Sequence, residues 1–250
     1  MFYVGVDVGG MSIKLGLVDE NGNILEQEKL VTSKNDCQEV HAIQIGEKVN
    51  FLIEKSGISK SDIKGVGIGA PGGVKPQEGI ASFIPNIPWV GLELSKIVSG
   101  VTGLPVKIGN DADVATLGEV VFGSAKGYDT AVLFTIGTGV GGGFVIDKKL
   151  YQGKGIVAEV GHVTLRQNGI LCGCGRRGCF EQYASATALI RQTKELMLTN
   201  KNSTMWDFAN NDIENVNGIT AFAFNSKSAK FAFLYCKYPS APIIAPLSVQ

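Results

Sequence analysis

The chain has 250 residues, a formal net charge of zero, 44% hydrophobic residues and 33 glycines. That length is enough to bury a core of one large or two smaller domains. A neutral balance argues against nucleic acid or an anionic membrane as the main partner, and the apolar stretch Ala131–Ile146 is broken by glycines and falls short of the ~20 continuous apolar residues of a membrane span.

Phe2–Asp7 and Ile13–Val18 read as two strands joined by the glycine turn Val8–Gly10, and Asn21-Gly22-Asn23 turns the chain into a third strand at Ile24–Leu30. Met1–Val8 reaches Asp7 without a basic region or cleavage site, so the expectation is a cytoplasmic protein. Val40–Lys55 has helical spacing and stops near Gly57. Ile63–Ala70 is a buried strand ended by Pro71-Gly72-Gly73. A loop holding Asn86 leads to a short helix at Leu92–Val98, and Val106–Ile108 is a strand that runs through Asn110-Asp111 into a helix at Ala112–Phe122. Thr130–Ile136, the turn at Gly137-Thr138-Gly139 and the strand Gly141–Ile146 repeat the plan of residues 2–18. Two such turns predict two α/β domains facing a cleft, with boundaries at 1–115 and 116–220. After Gly218 glycine disappears and prolines crowd the end, which marks 221–250 as an atypical tail.

Four constellations carry chemistry. Asp7-Val-Gly-Gly-Met-Ser-Ile-Lys14 sets a carboxylate before Gly9 and Gly10. It fits either a plain hairpin or a turn whose amides approach phosphate while Asp7 holds Mg²⁺. The second turn has five glycines in seven positions, 137–143, a composition that costs an ordinary strand packing and is explained by close approach to a ligand. Asp111 stands where a strand stops and a helix starts, so it reads as an N-cap or as a general base, and spacing alone favours the cap. His162, Cys172, Cys174 and Cys179 offer one imidazole and three thiolates, the ligand set of a closed, structural tetrahedral Zn²⁺ site.

Asp7–Lys14, Ala70–Gly73, Asn110–Asp113, Gly137–Gly143, Glu159–His162 and Cys172–Glu181 together resemble the ROK family of sugar kinases and repressors, in order and spacing, from residue 2 to about 220. The resemblance implies an actin-like ATPase (ribonuclease H-like) α/β fold whose two domains flank a sugar site, the second domain being incomplete here. It implies an ATP- and Mg²⁺-dependent kinase acting on the 6-hydroxyl of a hexose, glucose above others. Asp111 becomes the catalytic base. Gly72, Asn110, Asp111, Glu159, His162 and Glu181 become the sugar site, and Asp7, Gly9, Gly10, Lys14, Gly137, Thr138 and Gly139 the nucleotide site. His162 would serve twice, one ring nitrogen on zinc and the other on a sugar hydroxyl. A homodimer is implied as well.

Two departures stand out. Met11 occupies a position where the family pattern has Thr, and from Thr220 onward the family's adenosine-binding glycine turn and its returning helix have no counterpart. The latter keeps a second reading open, a sugar-binding protein without catalysis. The family's third activity, sugar-responsive regulation, calls for a helix-turn-helix ahead of the first strand, and the chain opens in that strand. His41 is read as structural on a solvent-facing helix, Trp89 as a packed loop anchor, Cys37 and Cys236 as free thiols, and the helix Ala184–Leu198 as core or dimer surface.

Overall fold

The computed structural model describes residues 1–9, 12–31, 36–84, 87–153 and 157–221. Gly10 of the first glycine turn, Met11, Cys236 and the tail from 222 therefore lie outside the described residues. The chain divides into two compact units, Met1–Ala131 with Phe144–Val157, and Val132–Gly143 with the chain from Ala158 onward.

In the first unit, β1 (Phe2–Val8), β2 (Ser12–Asp19) and β3 (Ile24–Val31) form an antiparallel meander, and β4 (Ile63–Ala70) and β8 (Val106–Asn110) add parallel to β1. The resulting order, β3-β2-β1-β4-β8, is the ribonuclease H-like α/β sheet implied by the sequence resemblance. Strand alternation explains the core: Val4, Val6 and Val8 of β1 and Ile13, Leu15 and Leu17 of β2 are buried on one face.

Helix α1 (Gln38–Ser56) covers that face with His41, Ala42, Ile45, Val49 and Leu52, a helical repeat. It ends at Gly57, whose φ of 69° and backbone N–H donating to Glu54 O form a left-handed cap. His41 is thus fully buried, not solvent-facing, and Trp89 Nε1 donates to its Nδ1 at 2.9 Å. Trp89 is itself fully buried, as a packed anchor should be.

Three strands stand among the described residues between Pro71 and Leu94. Short strands β5 (Gly73–Lys75), β6 (Ile80–Phe83) and β7 (Val90–Leu92) form an antiparallel sheet, so Leu92 belongs to a strand. Helix α2 (Leu94–Thr102) follows, starting later than the expected Leu92–Val98, and packs on α1, where a Cβ on Gly46 would lie 2.7 Å from Val101 Cβ. Helix α3 (Asp111–Val121) leaves β8 directly. A Cβ on either Gly69 or Gly109 would meet Val114 at 2.7 Å, so glycine at both positions lets α3 sit close against β4 and β8.

Strands β9 (Ala131–Ile136), β10 (Val140–Ile146) and β11 (Lys149–Leu150) make a further sheet in the order β11-β10-β9. In the second unit, α4 (Glu181–Ala184), α5 (Ala186–Thr199) and α6 (Met205–Phe208) follow the cysteine segment. The expected single helix Ala184–Leu198 is broken at Ser185, whose hydroxyl caps α5 by accepting the Ala188 amide at 3.0 Å. Met197, Met205, Ala209, Val216 and Ala221 form this unit's core, with Leu189 and Ile190 packed against it, while Leu196 is exposed. No helix among the described residues is long and apolar enough to cross a membrane.

Candidate functional site

The parallel register of the first unit lines up three strand ends. Asp7 of β1 pairs with Gly69 of β4, and Ala70 of β4 pairs with Asn110 of β8. Side chains leaving the carboxyl ends of parallel strands are where α/β sheets bind ligands. Asp7, Gly72, Asn110 and Asp111 are therefore brought to one edge by topology alone.

Asn110, and not Asp111, is the N-cap of α3. Its Oδ1 accepts the amides of Ala112 at 3.0 Å and Asp113 at 3.3 Å, and its Nδ2 donates to Gly72 O at 3.3 Å. Gly72 itself has φ 76°, a backbone state that favours glycine. The capping duty that spacing assigned to Asp111 is thereby taken by its neighbour. Asp111 Oδ1 accepts the Ala112 amide at 2.8 Å. The residue is exposed at the sheet edge, yet protein crowds its carboxyl, and this desolvation raises its pKa above the ordinary value, with the Asp7 and Asp113 carboxylates adding to the rise and the Ala112 amide opposing it. Asp113, also shifted upward by burial, accepts from Gln152 Nε2 at 3.2 Å.

In the first glycine turn, the Gly9 amide donates to Ser12 O at 3.0 Å, and a Cβ there would lie 2.8 Å from that oxygen. Lys14 Nζ stands 3.8 Å from Asp7 Oδ2 across the hairpin, with both side chains more than half exposed. Such a solvated pair adds little stability and leaves both groups accessible to a charged ligand.

The second unit holds the other expected residues. Gly137 and Thr138 are exposed in the turn between β9 and β10. The glycine run has internal reasons that sequence reading missed: a Cβ on Gly139 would collide with Glu181 Oε2, and one on Gly142 would lie 2.6 Å from Val160 Cγ2. Packing thus accounts for Gly142, whose Cβ would also lie 2.9 Å from the backbone Leu133 O, whereas Glu181 Oε2 is the movable end of a side chain and Gly137 has nothing within 4 Å of an added Cβ.

His162, Cys172, Cys174 and Cys179 present ligand atoms that all lie within 4.8 Å of one another. Cys172 Sγ is 3.6 Å from His162 Nδ1, and Cys174 Sγ is 3.6 Å from Cys179 Sγ. A zinc–thiolate tetrahedron with ~2.3 Å bonds has sulfur–sulfur edges of about 3.8 Å, so the donor set fits Zn²⁺ in kind and spacing. Local turns build this geometry: Cys172 N–H donates to Arg176 O at 2.8 Å, and Gly175 and Gly178 adopt φ of 86° and 79°. The Arg176 guanidinium also donates to His162 O at 2.9 Å. The Arg176 amide is the main cause that lowers the Cys174 thiol to about 6, while burial pushes Cys179 up to about 11.

The outward ring nitrogen of the same histidine, His162 Nε2, is 3.9 Å from Glu159 Oε2. Glu181 Oε1 is 3.9 Å from Cys172 Sγ, and Glu181 Oε2 accepts the Val140 amide at 3.1 Å. Glu159, His162 and Glu181 are therefore grouped around the cysteine knuckle. The Glu181–Val140 bond joins two motifs 41 residues apart, and no local spacing signals it.

The model of the ROK family matches residues 3–238, so the resemblance runs past Thr220, where it is expected to stop. A glucokinase of Streptomyces coelicolor is 43% identical over 193 residues, 77% of this chain and 59% of that protein. A xylose repressor of Bacillus subtilis is 35% identical over 230 residues, 89% of this chain and 58% of that protein. The crystal structure of a ROK family glucokinase from Streptomyces griseus, in complex with glucose and AMPPNP, superposes with a TM-score of 0.76 at 36% identity, covering 92% of this chain and 72% of that one. The chain thus spans about three-fifths of the length of the two relatives compared by sequence.

Proposed function

The chain belongs to the ROK family, and from that premise we propose that it is an ATP-dependent sugar kinase that phosphorylates the 6-hydroxyl of a hexose, with glucose as its substrate. The observation that carries the reading is Asp111: an accessible carboxyl of raised pKa at the ends of parallel strands, released from capping by Asn110. A base of raised pKa is better matched to taking a proton near neutrality. The Asp111 carboxylate would take the proton of the 6-hydroxyl as its oxygen bonds to the γ-phosphorus. The β–γ bridging bond breaks and ADP departs. Most of this catalysis is positioning and charge stabilisation, with little covalent work for the protein.

Asn110 and the Gly72 segment would orient the sugar, and Glu159, His162 and Glu181 would supply hydroxyl partners. Their mixture of acceptors and one ring nitrogen suits adjacent hydroxyls. Gly9, Lys14, Gly137, Thr138 and Gly139 would meet the nucleotide phosphates. Asp7 would hold Mg²⁺, an ion that neutralises phosphate charge when bound. His162, Cys172, Cys174 and Cys179 would hold Zn²⁺, which supplies structural cross-linking and no open coordination position. We assign the reaction to the cytoplasm and the assembly to a homodimer, the latter to be checked by light scattering.

A second reading has its own support. The similarity to a xylose repressor covers 89% of this chain, so a sugar-responsive regulator without phosphoryl transfer fits the same residues. Titration calorimetry with glucose, xylose and AMPPNP separates the two. Glucose and AMPPNP both binding, with glucose preferred over xylose, supports the kinase. Sugar binding with no response to AMPPNP at millimolar concentration favours the regulator.

A further inference from the structure

The second glycine turn and the cysteine–histidine knuckle are distant in sequence but share one carboxylate. Glu181 Oε2 accepts the Val140 amide at 3.1 Å, at the exit of the turn, while Oε1 lies 3.9 Å from Cys172 Sγ. A Cβ on Gly139 would collide with Oε2, so glycine there leaves the carboxylate room to reach the Val140 amide. Glu181 is also tied to the knuckle through the backbone. It stands two residues after Cys179, and the Gln182 amide donates to Cys179 O at 3.0 Å, so the place where α4 begins is set by the last knuckle cysteine.

The residues that follow hold two carbonyls of the turn. The Ala186 amide donates to Gly137 O at 2.9 Å, and Thr187 Oγ1 donates to Thr138 O at 2.8 Å. Every tether named here starts from the α4–α5 segment. Among them Glu181 reaches the turn by a charged hydrogen bond, the strongest kind available to a backbone amide.

We propose that Glu181 is a positioning residue through which metal occupancy of the knuckle sets the order of the glycine turn 137–140. A metal that fixes His162, Cys172, Cys174 and Cys179 fixes the start of α4, and with it the carboxylate that holds Val140. An empty knuckle lets that start move, and the turn loses its brace. Coupling of this kind is reciprocal: any anion that orders the turn tightens metal binding by the same factor. The proposal rests on the zinc reading of the knuckle, and it is independent of whether the chain transfers phosphate.

Amide hydrogen exchange of the peptide covering 137–143 tests it on the full chain, zinc-loaded and chelator-stripped, with zinc content measured on the same samples. In the wild type, stripping should speed exchange of this peptide roughly tenfold, the scale of one charged hydrogen bond. Glu181→Ala should show the fast rate whether loaded or stripped. Glu181→Gln keeps an accepting oxygen and should stay close to the loaded wild type. Gly139→Ala, which displaces the carboxylate without touching the knuckle, should match Glu181→Ala while retaining about one equivalent of zinc. The α5 peptide should keep its protection throughout. The proposal is overturned if Glu181→Ala retains wild-type protection at 137–143, or if stripping exposes α5 as much as the turn. Full zinc content with a turn indifferent to stripping removes the relay alone. Samples that never hold zinc remove the metal reading and the relay with it.

Discussion

The side-chain amide of Asn110 donates to the carbonyl of Gly72 at 3.3 Å, tying the end of β8 to the segment that leaves β4. The same residue caps α3 with its oxygen, so one side chain fixes the strand end, the glycine segment and the helix that begins with Asp111. Asn110→Ala should cost about 1 kcal/mol of stability through the lost cap. Asn110→Asp should retain most of that stability, because Asp caps almost as well, but it cannot donate to Gly72 O. Denaturant midpoints of the two variants check the prediction, which fails if Asn110→Asp loses as much as Asn110→Ala.

Asp111 should behave as a site that trades stability for chemistry. Its folded pKa is raised by desolvation and by Asp7 and Asp113. The folded state therefore holds the proton more tightly than the unfolded one, and stability falls as pH rises from the ordinary carboxylate range through the raised value. Asp111→Asn removes that loss. It should be more stable than wild type at pH 7 and equal to it in acid, where both carry a neutral group. Unfolding midpoints at pH 4 and pH 7 decide this, and a variant less stable at pH 7 contradicts it.

Metal removal should act on the second unit's knuckle. The four ligand atoms lie within 4.8 Å of one another, and an ion at their centre would satisfy three sulfurs and one nitrogen. Purified protein should carry about one equivalent of zinc, and Cys174→Ser less than half of that. Chelation should lower the thermal midpoint and expose Cys172 and Cys179, both buried here, to thiol reagents. Unchanged thiol reactivity after chelation would count against the site.

The buried pair Trp89 and His41 should matter for stability and not for sugar. Trp89→Phe removes the indole donor that reaches His41 Nδ1 at 2.9 Å, at a cost of about 1–3 kcal/mol. The Michaelis constant for glucose should not move. A large rise in that constant with an unchanged thermal midpoint would place Trp89 in the sugar site instead.

The sequence was most readable where one force set the pattern. Alternation in Val4, Val6 and Val8 marked β1, Gly57 marked the end of α1, and the ligand spacing marked the knuckle. His41 is structural as expected but buried and not solvent-facing, because His41, Ala42, Ile45, Val49 and Leu52 lie on one helical stripe. Strands β5, β6 and β7 have three or four residues each, too few to show a period. The start of α2 was blurred because Glu93 makes no side-chain cap bond that would announce it. At the candidate site, Asp7 and Asn110 were found as motifs, but their common edge comes from strand register. The Glu181–Val140 bond is a tertiary contact, so only the fold could reveal it.

Sugar-dependent ADP release by the purified chain, with glucose and Mg²⁺, tests the central claim most directly when wild type is compared with Asp111→Ala. The account predicts turnover that needs both glucose and Mg²⁺ and falls by at least about a hundredfold in the variant, the lower range for loss of a general base. Turnover that persists at the wild-type rate in Asp111→Ala would contradict it.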